Sequence, residues 1–305
     1  VNARSRRRRA RATLALTLAL ALSGCPTMPG LAPLSPDEAA ETQAMQRLSQ
    51  RGLSAPRCLG FDDGRTPTGL FVFALRASNP VAQATAPTVE ERVVLQGVAR
   101  LCIDNDTLSG DAVVCSLART RLPEADGACS TLLPSVALLA AAPALTIQGS
   151  RAPNDPEGGF DATLTLDWGS VPGAALPAPW AGAGDAGPMD TPNEALDLDD
   201  DGAPGVTLRP DGDATRPVQA ARRLTARMTL APISGGQLAG PAVVETDEVV
   251  LGGDAAAAFA GRSYAASTSA DVAFVPLAPR VTGLTCGDAT DAWAALPPLL
   301  ADACR

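Results

Sequence analysis

The chain of 305 residues is long enough for one or two domains with real cores, but its 46% apolar content leans on Ala and aromatics make up only 3%. It has no His and no Lys, and its 24 arginines face 33 acids for a net charge of −9. An acidic chain repels phosphate backbones, which argues against nucleic-acid binding, and without His the commonest general base and every His-dependent triad are excluded.

The first residues carry the three parts of a secretory signal. Arg4, Arg6, Arg7, Arg8, Arg9 and Arg11 precede an uncharged apolar run at 12–22, and small Ser23 and Gly24 lead into Cys25. The run is too short to span a bilayer, which takes about 20 residues. Leu22-Ser23-Gly24-Cys25 resembles the lipobox of bacterial lipoproteins. That resemblance implies removal of residues 1–24 as a signal peptide, a diacylglycerol on the Cys25 thiol, and a further fatty chain such as palmitate on the new amine. Loss of six arginines and no acid would take the net charge from −9 to −15. A buried methylene contributes about 0.8 kcal/mol, so two or three chains on one residue anchor stably where a single chain binds reversibly. Pro26 stands where an inner-membrane retention Asp would. The outer membrane is therefore the expected address, with the membrane and an envelope protein as expected partners.

Seven cysteines are an odd count for an exported chain. Lipidation of Cys25 leaves Cys58, Cys102, Cys115, Cys129, Cys286 and Cys304 for disulfides in an oxidising compartment. Cys286 and Cys304 stand apart from the rest, which predicts that they pair with each other and that the four between 58 and 129 pair among themselves. With no Cys-x-x-Cys and no His, zinc is not expected.

Residues 25–57 read as a lipidated tether and a short helix. Ser35-Pro36-Asp37-Glu38 has Ser as N-cap, Pro at the first helical position and Glu three after the cap, so a helix is predicted to about Gln50, with Gly52 as its stop. Its apolar positions, Met45 and Leu48, suit a short packed helix or a stalk. Residues 58–170 form a β region. Strands are predicted over 69–75, over 91–103 with a break at Gly97, over 112–117, and over 161–168, where Ala162, Leu164, Leu166 and Trp168 alternate with polar residues. The Ala-rich 135–144 fits a short helix. Residues 171–218 are a long Pro/Gly/Asp-rich acidic connection. A second β region fills 219–305, with strands at 223–230, 249–251 and 272–277 and a small helix in a disulfide-clipped tail after 288. Asp-Gly pairs at 63–64, 126–127, 201–202 and 211–212 are turn chemistry. The fold class is mostly β, as antiparallel sandwich or barrel regions.

One motif carries ligand chemistry. Asp197, Asp199 and Asp201, with Gly202 at position 6, fit D-x-D-x-D-G, which curls carboxylates onto one hard cation, and Ala203 would offer its carbonyl at position 7. Position 12 is Leu208 instead of the bidentate Glu of an EF-hand, so Asp211 or Asp213 would have to close the shell. Calcium is the expected cofactor; the competing reading is an acidic solvated linker. The string from Asp197 to Leu208, with Val249-Val250-Leu251-Gly252 downstream, also resembles a segment of uncharacterised lipoproteins of myxobacterial type, a likeness that brings no activity with it. Gly182 to Gly187 satisfies G-x-G-x-x-G, but Pro177 and Pro179 before it and Pro188 after it leave no strand and helix to frame a nucleotide.

Glu90, Glu91, Glu245, Asp247 and Glu248 are the dense acidic sites in strands, and a solvated strand face is their expected setting. The expected function is a non-catalytic envelope lipoprotein with a structural or interaction role. A β carrier of a lipid or other apolar ligand would need an enclosed cavity of at least about 300 Å³. A carboxylate hydrolase would need two acids about 5–9.5 Å apart across a cleft.

Overall fold

The computed structural model describes residues 35–54, 69–83, 86–104, 106–121, 130–153, 158–177, 195–210, 215–276 and 283–294. The predicted signal peptide and the predicted tether with Cys25 lie outside the described residues, as do Cys58, Cys129, Cys304, Asp211, Asp213, the 182–187 glycine motif and three of the four Asp-Gly pairs.

The chain falls into two compact units, Val1–Ala40 and Glu41–Arg305. The predicted capping box is present at Ser35. The Glu38 amide donates to Ser35 Oγ (3.3 Å), and the Ser35 amide donates to Glu38 Oε2 (2.8 Å). The helix Pro36–Gln50 follows. In the second unit Leu48 of this helix packs on the core, while Met45 is exposed.

Among the described residues thirteen strands follow: β1 (Gly52–Ser54), β2 (Gly69–Gln83), β3 (Ala86–Asp104), β4 (Thr107–Arg121), β5 (Ser130–Pro134), β6 (Leu145–Arg151), β7 (Phe160–Trp168), β8 (Val206–Pro210), β9 (Val218–Ile233), β10 (Gln237–Gly252), β11 (Ser263–Tyr264), β12 (Ser269–Pro276) and β13 (Gly283–Thr285). The protein is mostly β and antiparallel, as its alternation predicts. The pairings run β10–β12–β2–β3–β4, continue from β4 through β6 and β7 to β9, and return to β10. They therefore close into a barrel, with β10 meeting β12 only over Leu238–Pro241. Between β4 and β9 the wall is in two pieces. β6 and β7 span one part; β5 and β8, joined by three residue pairs, span the other. Strands from both sides of the 171–218 connection share this one sheet, and residues 206–210 of the connection are themselves a strand.

Inside the barrel, Phe71, Phe73, Leu75, Leu95, Leu164, Leu166, Trp168, Leu224 and Phe274 belong to one continuous buried cluster. Phe73 and Phe274 stack with centroids 5.6 Å apart. Gly97 does not break β3 as predicted: a Cβ there would lie 2.5 Å from the Phe73 ring, so the glycine makes room for it.

The register of β3 against β4 slips between Gln96 and Gly97, because Gln96 faces Ser116 while Gly97 faces Val114. Cys115 is the extra residue. Before this bulge Leu108, Ala112 and Val114 face the core; after it Leu117 does, so the parity flips. Val113 and Cys115 face outward and join Leu70, Val72, Val98, Leu284, Cys286 and Ala289 in a second cluster beneath the helix Cys286–Ala294.

This geometry overturns the predicted Cys286–Cys304 pair. Cys286 is bonded to Cys115, with Cα atoms 5.5 Å apart across a sequence separation of 171. Sequence proximity misled because the bulge aims Cys115 at the outer wall where the C-terminal helix docks. The four cysteines of 58–129 accordingly do not pair only among themselves. Cys102 is also disulfide-bonded.

Candidate cation site

The loop before β8 folds by the chemistry of its own aspartates. Asp197 accepts from two amides, Asp201 N to Oδ1 (3.3 Å) and Gly202 N to Oδ2 (2.9 Å). Asp201 Oδ1 accepts from Ala203 N at 2.9 Å, and Asp201 Oδ2 accepts from the Thr207 hydroxyl. These are the short side-chain-to-backbone bonds that Asp makes in turns. Gly202 turns the chain at φ 82°, in the left-handed region. Leu198 packs on the core and its amide donates to Gly205 O (3.4 Å), which closes the loop.

Asp199 points inward and is 8% exposed. Its Oδ2 accepts from Ser135 Oγ (3.0 Å) and from Thr207 N (3.2 Å). Its Oδ1 is buried and has no hydrogen-bond partner. Burial, and after it the Asp201 charge, push the Asp199 carboxyl up to about 6, with the Ser135 hydroxyl and the Thr207 amide opposing them. One oxygen from each of Asp197, Asp199 and Asp201 lies within 4.8 Å of the others. Two full charges at that distance repel by about 3 kcal/mol at an effective dielectric constant of ~20. Among the described residues no arginine pairs with any of the three. Clustered hard oxygens with no internal cation suit calcium, and Ala203 sits at the position whose carbonyl would join them.

A second constellation was missed from sequence. Glu91 and Glu248 were expected on a solvated face, but both side chains are inside the barrel at 4% and 3% exposure. Glu90, Glu245 and Asp247 are exposed, as expected. Arg119, carried inward by the flipped parity of β4, holds Glu91 with two bonds (2.9 and 3.1 Å) and Glu248 with two more (2.5 and 3.2 Å). Arg222 donates to Glu248 Oε2 at 3.3 Å and lies 3.7 Å from Glu91. The Tyr264 hydroxyl accepts from Arg119 (2.7 Å) and donates to Glu248 (2.8 Å).

Burial works against the Arg119 charge, but Glu248 and then Glu91 outweigh it and hold the guanidinium well above its ordinary range. Arg222 is lowered, by burial first and by Arg119 next. Burial raises Glu248, yet the two arginines overcome it and bring the carboxyl to about 2. Burial raises the Tyr264 phenol. The signal that could have located these acids is in-phase spacing: Glu91 shares parity with buried Val93 and Leu95, and Glu248 with buried Val244 and Val250. Chemically the cluster is two arginines neutralising two glutamates, and both acids bond the same guanidinium.

Comparison of the chain with protein-family models, with curated proteins and with solved structures finds no match.

Proposed function

We propose that this chain is an exported, lipid-anchored protein of the bacterial envelope, attached through Cys25, with a non-catalytic structural or interaction role and calcium in the Asp197–Ala203 loop. The observation that carries the reading is the Cys115–Cys286 disulfide. An oxidised cysteine pair fits a compartment reached only by export, and export is what the Arg-rich, apolar, Leu-Ser-Gly-Cys leader is built for. The non-catalytic role is supported by the state of the buried acids. Glu91 and Glu248 are committed to Arg119, which leaves neither free to take a proton from a substrate.

The test is intact-mass and peptide analysis of the protein extracted from its native membrane. The expected result is a chain starting at Cys25, with acyl mass on that residue, and a Cys115–Cys286 crosslink. A Cys25→Ser form that is still cut at the same bond and stays equally membrane-bound would refute the anchor.

A further inference from the structure

We infer that calcium in the Asp197–Ala203 loop acts as a latch that holds β5 and β8 together in the barrel wall. The inference rests on the calcium reading above and deepens it.

The wall is thinly paired there. β5 and β8 pair through Leu132 with Pro210, Leu133 with Arg209, and Pro134 with Leu208. Prolines occupy both ends of this ladder, and a proline has no amide to donate. β8 meets β9 through three further pairs, Val206 to Leu208. Arg119 is the β4 partner of Leu132, at the edge of this section, while Arg222 pairs with Trp168 of β7 and Glu248 of β10.

The loop is joined to that section at both sides. Asp199 takes the Ser135 hydroxyl on one side and the Thr207 amide on the other, so a single carboxylate ties the end of β5 to β8. Ser135 is also the N-cap of the helix Val136–Ala141, with its Oγ accepting from Leu138 N at 3.0 Å. Asp201 takes the Thr207 hydroxyl as well. Without a cation, the mutual repulsion of Asp197, Asp199 and Asp201 strains the same carboxylates that make these ties. The Asp199 Oδ1 left without a partner at 8% exposure marks where the ion would bind. Calcium neutralises the repulsion and fixes Asp199, and through it both staves.

The experiment is hydrogen exchange read by mass spectrometry on the full chain in detergent, in EGTA and in 10 mM calcium, with calorimetric titration of calcium alone and magnesium alone. Affinity in the roughly 10⁻⁴–10⁻³ M range of extracellular modules is expected. At 10 mM calcium, roughly 10–100-fold above that Kd, exchange through openings that release the ion slows by about the same factor. That protection should appear in 130–141 and 195–210 and leave β2 and β12 unchanged. Because Asp199→Asn removes both ion ligand and tie, Ser135→Ala is the discriminating variant. It should keep calcium binding and lose the calcium-dependent protection of 130–141. Binding without added protection there would overturn the latch and leave the calcium reading intact. No calcium binding by the folded chain would overturn both.

Discussion

The barrel carries two acidic constellations, and they solve the same problem in opposite ways. Glu91 and Glu248 are inside the wall and meet two arginines from β4 and β9, so their charge is cancelled by the fold itself. Asp197, Asp199 and Asp201 are gathered by a loop with no arginine paired to them, and in the function proposed above their compensation comes from calcium in solution. Strands can place an acid and a base opposite each other at fixed register. A five-residue loop of alternating aspartates can only converge on itself.

Breaking the internal compensation should cost most. Arg119→Met leaves two buried carboxylates facing only Arg222, and a loss of about 3–5 kcal/mol in urea unfolding is expected. A loss below about 1 kcal/mol would mean that the cluster is hydrated. Reducing the Cys115–Cys286 bond, or changing both residues to Ala, should cost about 2–4 kcal/mol. Acting outside both constellations, it should leave the calcium affinity unchanged in calorimetry.

Acidity sharpens the contrast, because the two sites should respond with opposite sign. Glu248 has its folded value near 2, below the ordinary 4.5, so its stabilisation is complete above pH 4.5 and is lost as pH falls toward 2. Asp199 is raised from 3.8 to about 6, so the folded state binds the extra proton, and the calcium-free protein loses stability as pH rises from about 4 to 6. Thermal melts in EGTA across pH 2–7 should therefore rise and then sag. Asp199→Asn should remove the sag, and added calcium should shrink it above pH 6. The smallest effect belongs to the exposed Arg227–Glu245 pair, with side chains 60% and 46% exposed. Arg227→Ala should shift stability by no more than about 0.5 kcal/mol. A larger loss would contradict the claim that burial separates the two kinds of acid.

The alternation of β7 and β9 was legible because period two is a local property. Leu164 and Leu224 lie buried where the pattern puts them. The capping box at Ser35 and the Asp197–Gly202 turn were legible for the same reason, since each is made by residues within a few positions of one another. What escaped was set across strands. Nothing near Cys115 announces a bulge, yet the bulge decides that Cys115 faces the C-terminal helix and that Arg119 faces the core. An acid such as Glu91 reads as solvent-facing until its partner is known, and that partner comes from β4, 28 positions away.

β1 and β13 pair through Gly52 with Thr285, Leu53 with Leu284 and Ser54 with Gly283, beside the Cys115–Cys286 bond. This clasp has a mechanical meaning. Tension entering from the N-terminal side and leaving at the C-terminal side passes across the disulfide, so the 171-residue separation it spans is shielded from stretching. At ~3.4 Å per extended residue, roughly 600 Å of chain stays out of reach of any pull until that sulfur bridge is cut.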